Sequence, residues 1–452
     1  MAKQAPDINL QVGVSYRQIL KIAMPIAAAI LVPQINFITN NIFLGGLGEQ
    51  QLAVAGITGV YYLIFAVIGF GLNSGLQALI SRRAGENRIE EIGKLFNQAT
   101  RIAMVFSAVS ILITYFIAPT ILRLSLHDET NVQMAVHFLY IRIFGLPFLY
   151  LYQMRNALLV GTNQSRYLIA GTLAETITNV VLDYALIYGH FGLPQMGFNG
   201  AAVASVIAEA VGILVVVAVM KYKGISRQLQ LFKKYTYDAV NTKLILVQSF
   251  PIILQYALSV MSWEFFYILV EHHGERELAI SNVMRNMFGL FGCVTWAFAS
   301  TTNSMVSNVI GQGLQQEVTK LIGKIMQLSL GFSCIIFLLL NISPQLLLQV
   351  YGQGGEFIEA AVPVARVISI ALIVMSASTV WLNAVIGTGN TTMNLKIEVA
   401  AIIVYSVYAY TILEYLNLPI VFGWMAEWLY WTTLLIPSFL YMKGGKWKHK
   451  KI

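Results

Sequence analysis

Twelve predominantly apolar stretches follow one another along the chain, near residues 19–44, 52–80, 98–124, 133–160, 167–190, 199–220, 245–270, 278–309, 325–349, 362–386, 397–417 and 423–442. A bilayer core of about 30 Å takes roughly 20 such residues per helix, so each stretch is long enough to cross. A transmembrane β-barrel would show alternating strands of about ten residues instead. Unbroken runs such as Val215, Val216 and Val217 do not alternate. The first stretch, interrupted by Asn36, Asn40 and Asn41, is too long for a cleaved signal peptide. The pattern predicts an all-α polytopic membrane protein of about twelve spans.

Composition agrees. Of 452 residues, 57% are hydrophobic and only 11% charged, with mean hydropathy +0.68. A soluble globular chain carries about 25% charged residues. Cys293 and Cys334 sit in apolar runs without partner spacing, so neither a disulfide framework nor a thiolate metal site is expected.

The net charge of +8 matters for where it sits. If both termini share a side, that side holds Lys3, Arg17 and Lys21, Arg82 to Lys94, Arg166, the run from Lys221 to Lys243, Lys320, Lys324, Lys396 and the tail from Lys443 to Lys451. The opposite side holds Arg123 and Arg276. The split is 22 to 2, leaving five arginines inside spans. It is a positive-inside pattern, so both termini are expected to be cytoplasmic; the inner or plasma membrane is the expected location. Basic residues that track topology argue against a nucleic-acid partner.

A shift of 226 residues, half the length, superposes landmarks without a gap. Leu20, Pro25 and Ile26 fall on Leu246, Pro251 and Ile252. Gly48-Glu49 falls on Gly274-Glu275, Ser81 on Ser307, Gly85 on Gly311, and Gly161-Thr162 on Gly387-Thr388. The pattern predicts two six-helix bundles, residues 1–225 and 226–452, with the basic stretch Lys221–Lys243 as linker. Because six is even, the halves enter the membrane in the same sense and are expected to be related by a pseudo-two-fold axis along the membrane normal, the arrangement of transporters with parallel repeats.

No GxxxxGK[ST] loop or long soluble segment is present for ATP chemistry. His272-His273 beside Glu271 reads as a solvated loop, and the Gly311–Gly313 and Gly352–Gly355 fragments read as turns. No nucleophile motif appears, so an enzyme is not expected. What remains is in the spans, where an ionisable side chain is costly and therefore a functional candidate. Glu175, Asp183, Glu209, Glu264 and Glu398 qualify, whereas Glu414 and Glu427 fall near span ends and are set aside. Glu175, Asn179 and Asp183, spaced i, i+4, i+8, share one helical face able to exchange a proton or a hard cation.

These residues resemble the multidrug and toxic compound extrusion (MATE) transporters of the MOP flippase superfamily. The features are Pro25 followed by Gly45-Gly46-Leu47-Gly48, Asn156 ahead of Gly161, Asn179 to Asp183, and Gly200-Ala201-Ala202-Val203-Ala204-Ser205. The resemblance implies an antiporter in which inward proton or sodium movement drives export of amphipathic, often cationic small molecules, with no other cofactor. It also implies a coupling set of Asp183, Asn179, Asn156 and Ser205, joined by Glu175 on the shared face. The family's first-span Asp is here Asn40, which leaves Asp183 as the main titratable member, and oxygen ligands keep sodium open. A rival set lies in the second half: Glu264 resembles a seventh-span glutamate of eukaryotic members, its companion is replaced by Ser259, and Trp263 and Glu398 complete the group. A functional monomer in the lipid bilayer is expected. The alternative is a lipid-linked oligosaccharide flippase of the same superfamily, which would require some of Arg101, Arg142, Arg155, Arg285 and Arg366 to line a basic cavity.

Overall fold

A computed structural model describes residues 9–126, 128–231, 233, 235–349 and 354–450. Lys3, Lys234, Lys451 and Gly352, used above for charge and turn patterns, lie outside them. Twelve long helical runs carry the described chain, which contains no strand. They are α1 (Tyr16–Gly45), α2 (Glu49–Gly85), α3 (Ile89–Ser125), α4 (Glu129–Gly161), α5 (Leu168–Tyr188) and α6 (Phe198–Tyr222). Then come α7 (Ala239–Glu271), α8 (Glu275–Gly311), α9 (Val318–Ile342), α10 (Gly355–Gly387), α11 (Thr391–Tyr410) and α12 (Ala426–Lys443). Nine helical stretches among the described residues are long and apolar enough to cross a membrane. The chain is a multi-pass membrane protein. Large apolar side chains such as Phe116, Leu214, Leu338 and Ile403 stand exposed on these helices. A surface of that kind is a liability in water and is matched by lipid tails.

The 226-residue repeat is written into the backbone. α2 and α8 are both 37 residues long and start 226 positions apart. Residues forced into the left-handed region recur with the same offset: Gly48 (φ 132°) with Gly274 (123°), Asn87 (57°) with Gly313 (80°), Asn163 (62°) with Gly389 (85°), and Phe191 (60°) with Asn417 (49°). Gly and Asn reach this region at least cost and hold seven of these eight positions, Phe191 being the exception. Gly161 and Gly387, another equivalent pair, permit close helix approach. A Cβ on Gly161 would come 2.8 Å from Ile80 Cγ2, and one on Gly387 2.8 Å from the Asn303 carbonyl.

Two compact units divide the contacts. Unit 1 is Ala28–Ser249 with the chain up to Leu10; unit 2 is Gln11–Ala27 with Phe250–Ile452. The division falls within α1 and α7, shortly after Pro25 and close to Pro251, not at residue 226. The segment leading into each of these helices is held by side-chain donors on backbone carbonyls. In unit 1, Gln98 Nε2 donates to Thr236 O at 2.8 Å and Arg101 Nη2 to Tyr235 O at 2.6 Å. In unit 2, Gln312 Nε2 donates to Val12 O at 3.0 Å and Lys324 Nζ to Val14 O at 2.9 Å, while Val12 N–H donates to Asn308 Oδ1 at 3.2 Å. Lys324 is the repeat equivalent of Gln98, so both halves use the same helix position for the same task.

One interruption positions the site of unit 1. α4 passes through a 3-10 turn at Ile143–Gly145. Pro147, two residues past the turn, has no N–H for the Ile143 carbonyl four residues back, so a regular turn cannot form there.

Candidate functional site

Each unit contains a buried polar seam that grows from helical spacing. In unit 1, Glu175, Asn179 and Asp183 share one face of α5, and Ser205, Glu209 and Gly212 share one face of α6. Asp183 is 0% exposed. Hydrogen bonding orients the Asn179 amide so that its nitrogen donates to Asp183 Oδ2 at 3.2 Å and to Asn36 Oδ1 at 2.9 Å. Its oxygen then accepts from the Ser205 N–H at 3.3 Å. Asp183 Oδ1 and Asn40 Oδ1 are shut off from solvent and meet no donor among the described residues. A buried acceptor left over in this way is expensive, and a proton on the carboxyl or a cation against it removes the cost. Asn156 is half-buried on α4 and forms no hydrogen bond with this set among the described residues. Asn36, which entered the sequence reading only as an interruption of the first span, is the contact from α1. Its i, i+4 spacing to Asn40 was the signal available.

Beside this seam lies an ion pair. Arg142 Nη2 and Nη1 donate to Glu209 Oε1 at 2.6 Å and Oε2 at 3.0 Å, a bidentate fork. Tyr62 Oη donates to Glu209 Oε1 at 3.3 Å, and the Arg142 guanidinium lies 3.8 Å from the centre of the Tyr62 ring. The α4 turn places Gly145 where a Cβ would overlap both Glu209 Oε2 and Arg142 Nη1. Glu175 packs against Gly212, where a Cβ would come 3.0 Å from Glu175 Oε2. Arg142 acts electrostatically on Glu175 and Asp183 as well. One fixed cation therefore serves three acids.

The other in-span arginines are differently placed. Arg101 is exposed and bonded to Tyr235 O, and Arg366 is exposed. Arg155 Nη1 donates to Leu151 O of its own helix at 2.9 Å.

Unit 2 brings α12 to the α7 and α11 residues that the sequence reading grouped together. Glu398, on α11, is 1% exposed; Oε1 accepts from Ser259 Oγ at 2.6 Å and from Tyr430 Oη, and Oε2 accepts from Gln255 Nε2 at 3.0 Å. Asn394 Nδ2 donates in turn to Gln255 Oε1. Glu427, set aside as a span-end residue, is 3% exposed and bridges two indoles: Trp263 Nε1 to Oε1 at 3.2 Å and Trp431 Nε1 to Oε2 at 2.9 Å. It is buried despite being the second residue of α12 because the short helix Ile420–Trp424 precedes it, with Trp424 in the core. Glu264 is half-buried and takes no part in these bonds among the described residues; its neighbours Ser259 and Trp263 make them. His272 and Glu414 form an exposed pair at 2.8 Å.

Comparison with known proteins gives a concordant picture. The MatE family model matches residues 25–185 and again 251–411, two segments offset by 226 residues at both ends. A curated relative named "Probable multidrug resistance protein NorM" from Synechocystis sp. is 26% identical over 229 residues, covering 50% of this chain and 49% of the relative. The chain thus matches about half the length of that protein. A relative of the same name from Thermotoga maritima is 21% identical over 443 residues, 96% of this chain and 94% of its own. A crystal structure described as MATE in complex with MaL6 has a TM-score of 0.89 at 15% identity, with 98% of both chains covered. At that identity the likeness speaks for the fold.

Proposed function

This chain belongs to the MatE family, the MATE transporters of the MOP superfamily, and from that premise we propose that it is a cation-coupled antiporter exporting amphipathic, cationic small molecules by alternating access. The observation that carries the reading is Asp183, fully buried beside Asn179, Ser205 and Asn36, with one carboxyl oxygen lacking a donor among the described residues. A group in that position has different free energies with and without a bound proton or cation. Occupancy therefore biases unit 1 between two arrangements, and a gradient of that ion biases the cycle. Export of drug-like compounds is the activity suggested by the NorM name of the relatives. Both termini cytoplasmic, in the inner or plasma membrane, and a working monomer complete the proposal.

The flippase alternative needs free cations for an anionic substrate. Arg142, the in-span arginine beside the Asp183 seam, is already neutralised by Glu209 in a two-point pair, which favours the cationic-substrate reading. The test is dye export from proteoliposomes with a proton gradient and a sodium gradient imposed separately. Gradient-driven export by the wild type that collapses in Asp183→Asn supports the proposal; export unaffected by either gradient removes it.

A further inference from the structure

We propose that residues 443–450, at the end of the last span, are a preformed docking surface for the headgroups of anionic phospholipids. Glu427 is the last acid of the sequence, and Lys443, Lys446, Lys448 and Lys450 come after it. Among the described residues none of these lysines forms an ion pair with Asp or Glu. Lys443 Nζ lies 5.9 Å from the centre of the Phe439 ring. Like charges this close along the chain repel, and a tail free to spread would separate them. The tail is instead folded.

α12 ends at Lys443, and Gly445, at φ 70°, turns the chain in a conformation that a residue with a Cβ enters only at a cost. A 3-10 turn, Lys446–His449, follows. Trp447 within it is 1% exposed, and its Nε1 donates to Met442 O at 2.8 Å. Backbone hydrogen bonds run from the Gly444 N–H to Leu440 O at 2.9 Å, from the Lys448 N–H to Gly445 O at 3.0 Å and from the Lys450 N–H to Trp447 O at 3.1 Å. With the indole buried, Lys446 and Lys448 stand exposed on either side of it. Asn390 Nδ2, at the cap of α11, donates to Tyr441 Oη at 2.8 Å and ties down the last turn of α12. Burial of a large aromatic side chain and a set of hydrogen bonds thus hold a row of cations in one arrangement.

Topology alone does not call for this order, because the positive-inside effect depends on the number of basic residues near a span and not on their fold. In unit 1, several basic residues near span ends are compensated by the protein itself. Arg83 pairs with Glu86 at 3.0 Å and with Glu91 at 2.7 Å, and Lys94 and Lys233 pair with Glu90 at 3.3 and 3.4 Å. The tail has no acid of its own, and the bilayer supplies the counter-charge. Its lysines begin in the last turn of a span, at the height of the headgroups, where each is drawn to an anionic surface. A single-stranded nucleic acid is the poorer partner, since it calls for aromatic faces open to stacking, whereas Trp447 is buried. The inference needs only that the chain is a membrane protein and is independent of the antiport reading.

Amide hydrogen exchange of the full-length protein is followed in nanodiscs of phosphatidylcholine alone and of phosphatidylcholine with a quarter phosphatidylglycerol. At about 0.05 M salt the anionic lipid is expected to slow exchange at residues 444–450 about fivefold, and at about 0.5 M salt, where surface charges are screened, less than about twofold. Exchange at residues 428–440 is expected to be the same in both bilayers. The response is expected to vanish in Lys446→Gln/Lys448→Gln/Lys450→Gln, which keeps Trp447 and the turn. In Trp447→Ala, which keeps the lysines and loses the buried indole, it is expected to fall to less than about half. Wild-type exchange that does not respond to phosphatidylglycerol overturns the proposal, as does a full response in either variant. A response of equal size at both salt concentrations, or one that extends equally through residues 428–440, marks a general effect of the bilayer and overturns it too.

Discussion

Arg142 and Glu209 meet through two parallel hydrogen bonds of 2.6 and 3.0 Å inside the helical core of unit 1, with side-chain exposures of only 16% and 8%. Removing one partner of a buried pair leaves the other charge uncompensated, at a cost of about 3–5 kcal/mol. Arg142→Ala and Glu209→Gln are therefore each expected to lower thermal stability in detergent sharply. The double variant Arg142→Met/Glu209→Met recovers much of the loss. Gly145→Ala is expected to resemble the single variants, because its methyl overlaps both partners. Melting temperatures by fluorescence check all four; a Glu209→Gln protein melting like wild type contradicts the account of the pair.

The segment before α1 offers a local test. Gln312 and Lys324 hold the carbonyls of Val12 and Val14, and Tyr16 Oη donates to Gln327 Oε1 at 2.5 Å. Substituting Gln312→Ala and Lys324→Ala together is expected to speed amide hydrogen exchange at residues 11–15 by at least tenfold, since two net hydrogen bonds are worth about 1–3 kcal/mol. Exchange elsewhere in unit 2 stays within experimental scatter. Uniform acceleration across unit 2 counts against a locally held strap.

Asp238 begins α7 by accepting from the backbone N–H of Val240 and Asn241 at 3.0 Å each, and its Oδ2 accepts from Asn241 Nδ2 at 2.7 Å. The Asn241 N–H, above all, holds this carboxyl below the ordinary 3.8. A depressed folded-state value means the stabilisation is present above 3.8 and is lost as pH falls through the lower folded value. Asp238→Ala is expected to cost about 1 kcal/mol at neutral pH, the usual worth of an N-cap. Asp238→Asn keeps the cap but removes its acid dependence. Thermal melts of the three proteins between neutral pH and pH about 3 decide this; identical acid profiles for wild type and Asp238→Asn contradict it.

Much of this was legible before any coordinates. Apolar run length located the helices, and the 226-residue register anticipated the recurrent left-handed turns at Gly48 and Gly274 and the matching family segments. The α5 face was legible because i, i+4, i+8 spacing is a one-helix property. What was missed are the residues that complete each set, because they depend on how several helices pack at once. Glu427 was dismissed from its place near a span end, although burial depends on what packs over the first turn. Glu398 was noticed, but Gln255, Asn394 and Tyr430 are far apart in sequence and unremarkable singly. Glu264 drew attention as an acid, whereas the neighbouring Ser259 and Trp263, at i, i+4 spacing on α7, make the bonds.

The central claim is that the Asp183 carboxyl changes occupancy as the protein works. The most direct measurement is dye export from proteoliposomes under a fixed proton or sodium gradient, comparing wild type with Asp183→Asn at equal reconstitution. The amide keeps the shape and the contact with Asn179 but cannot cycle a proton, so export is expected to drop at least tenfold while dye binding persists within a few-fold. Asp183→Asn vesicles that export at the wild-type rate under the same gradient would contradict the claim outright.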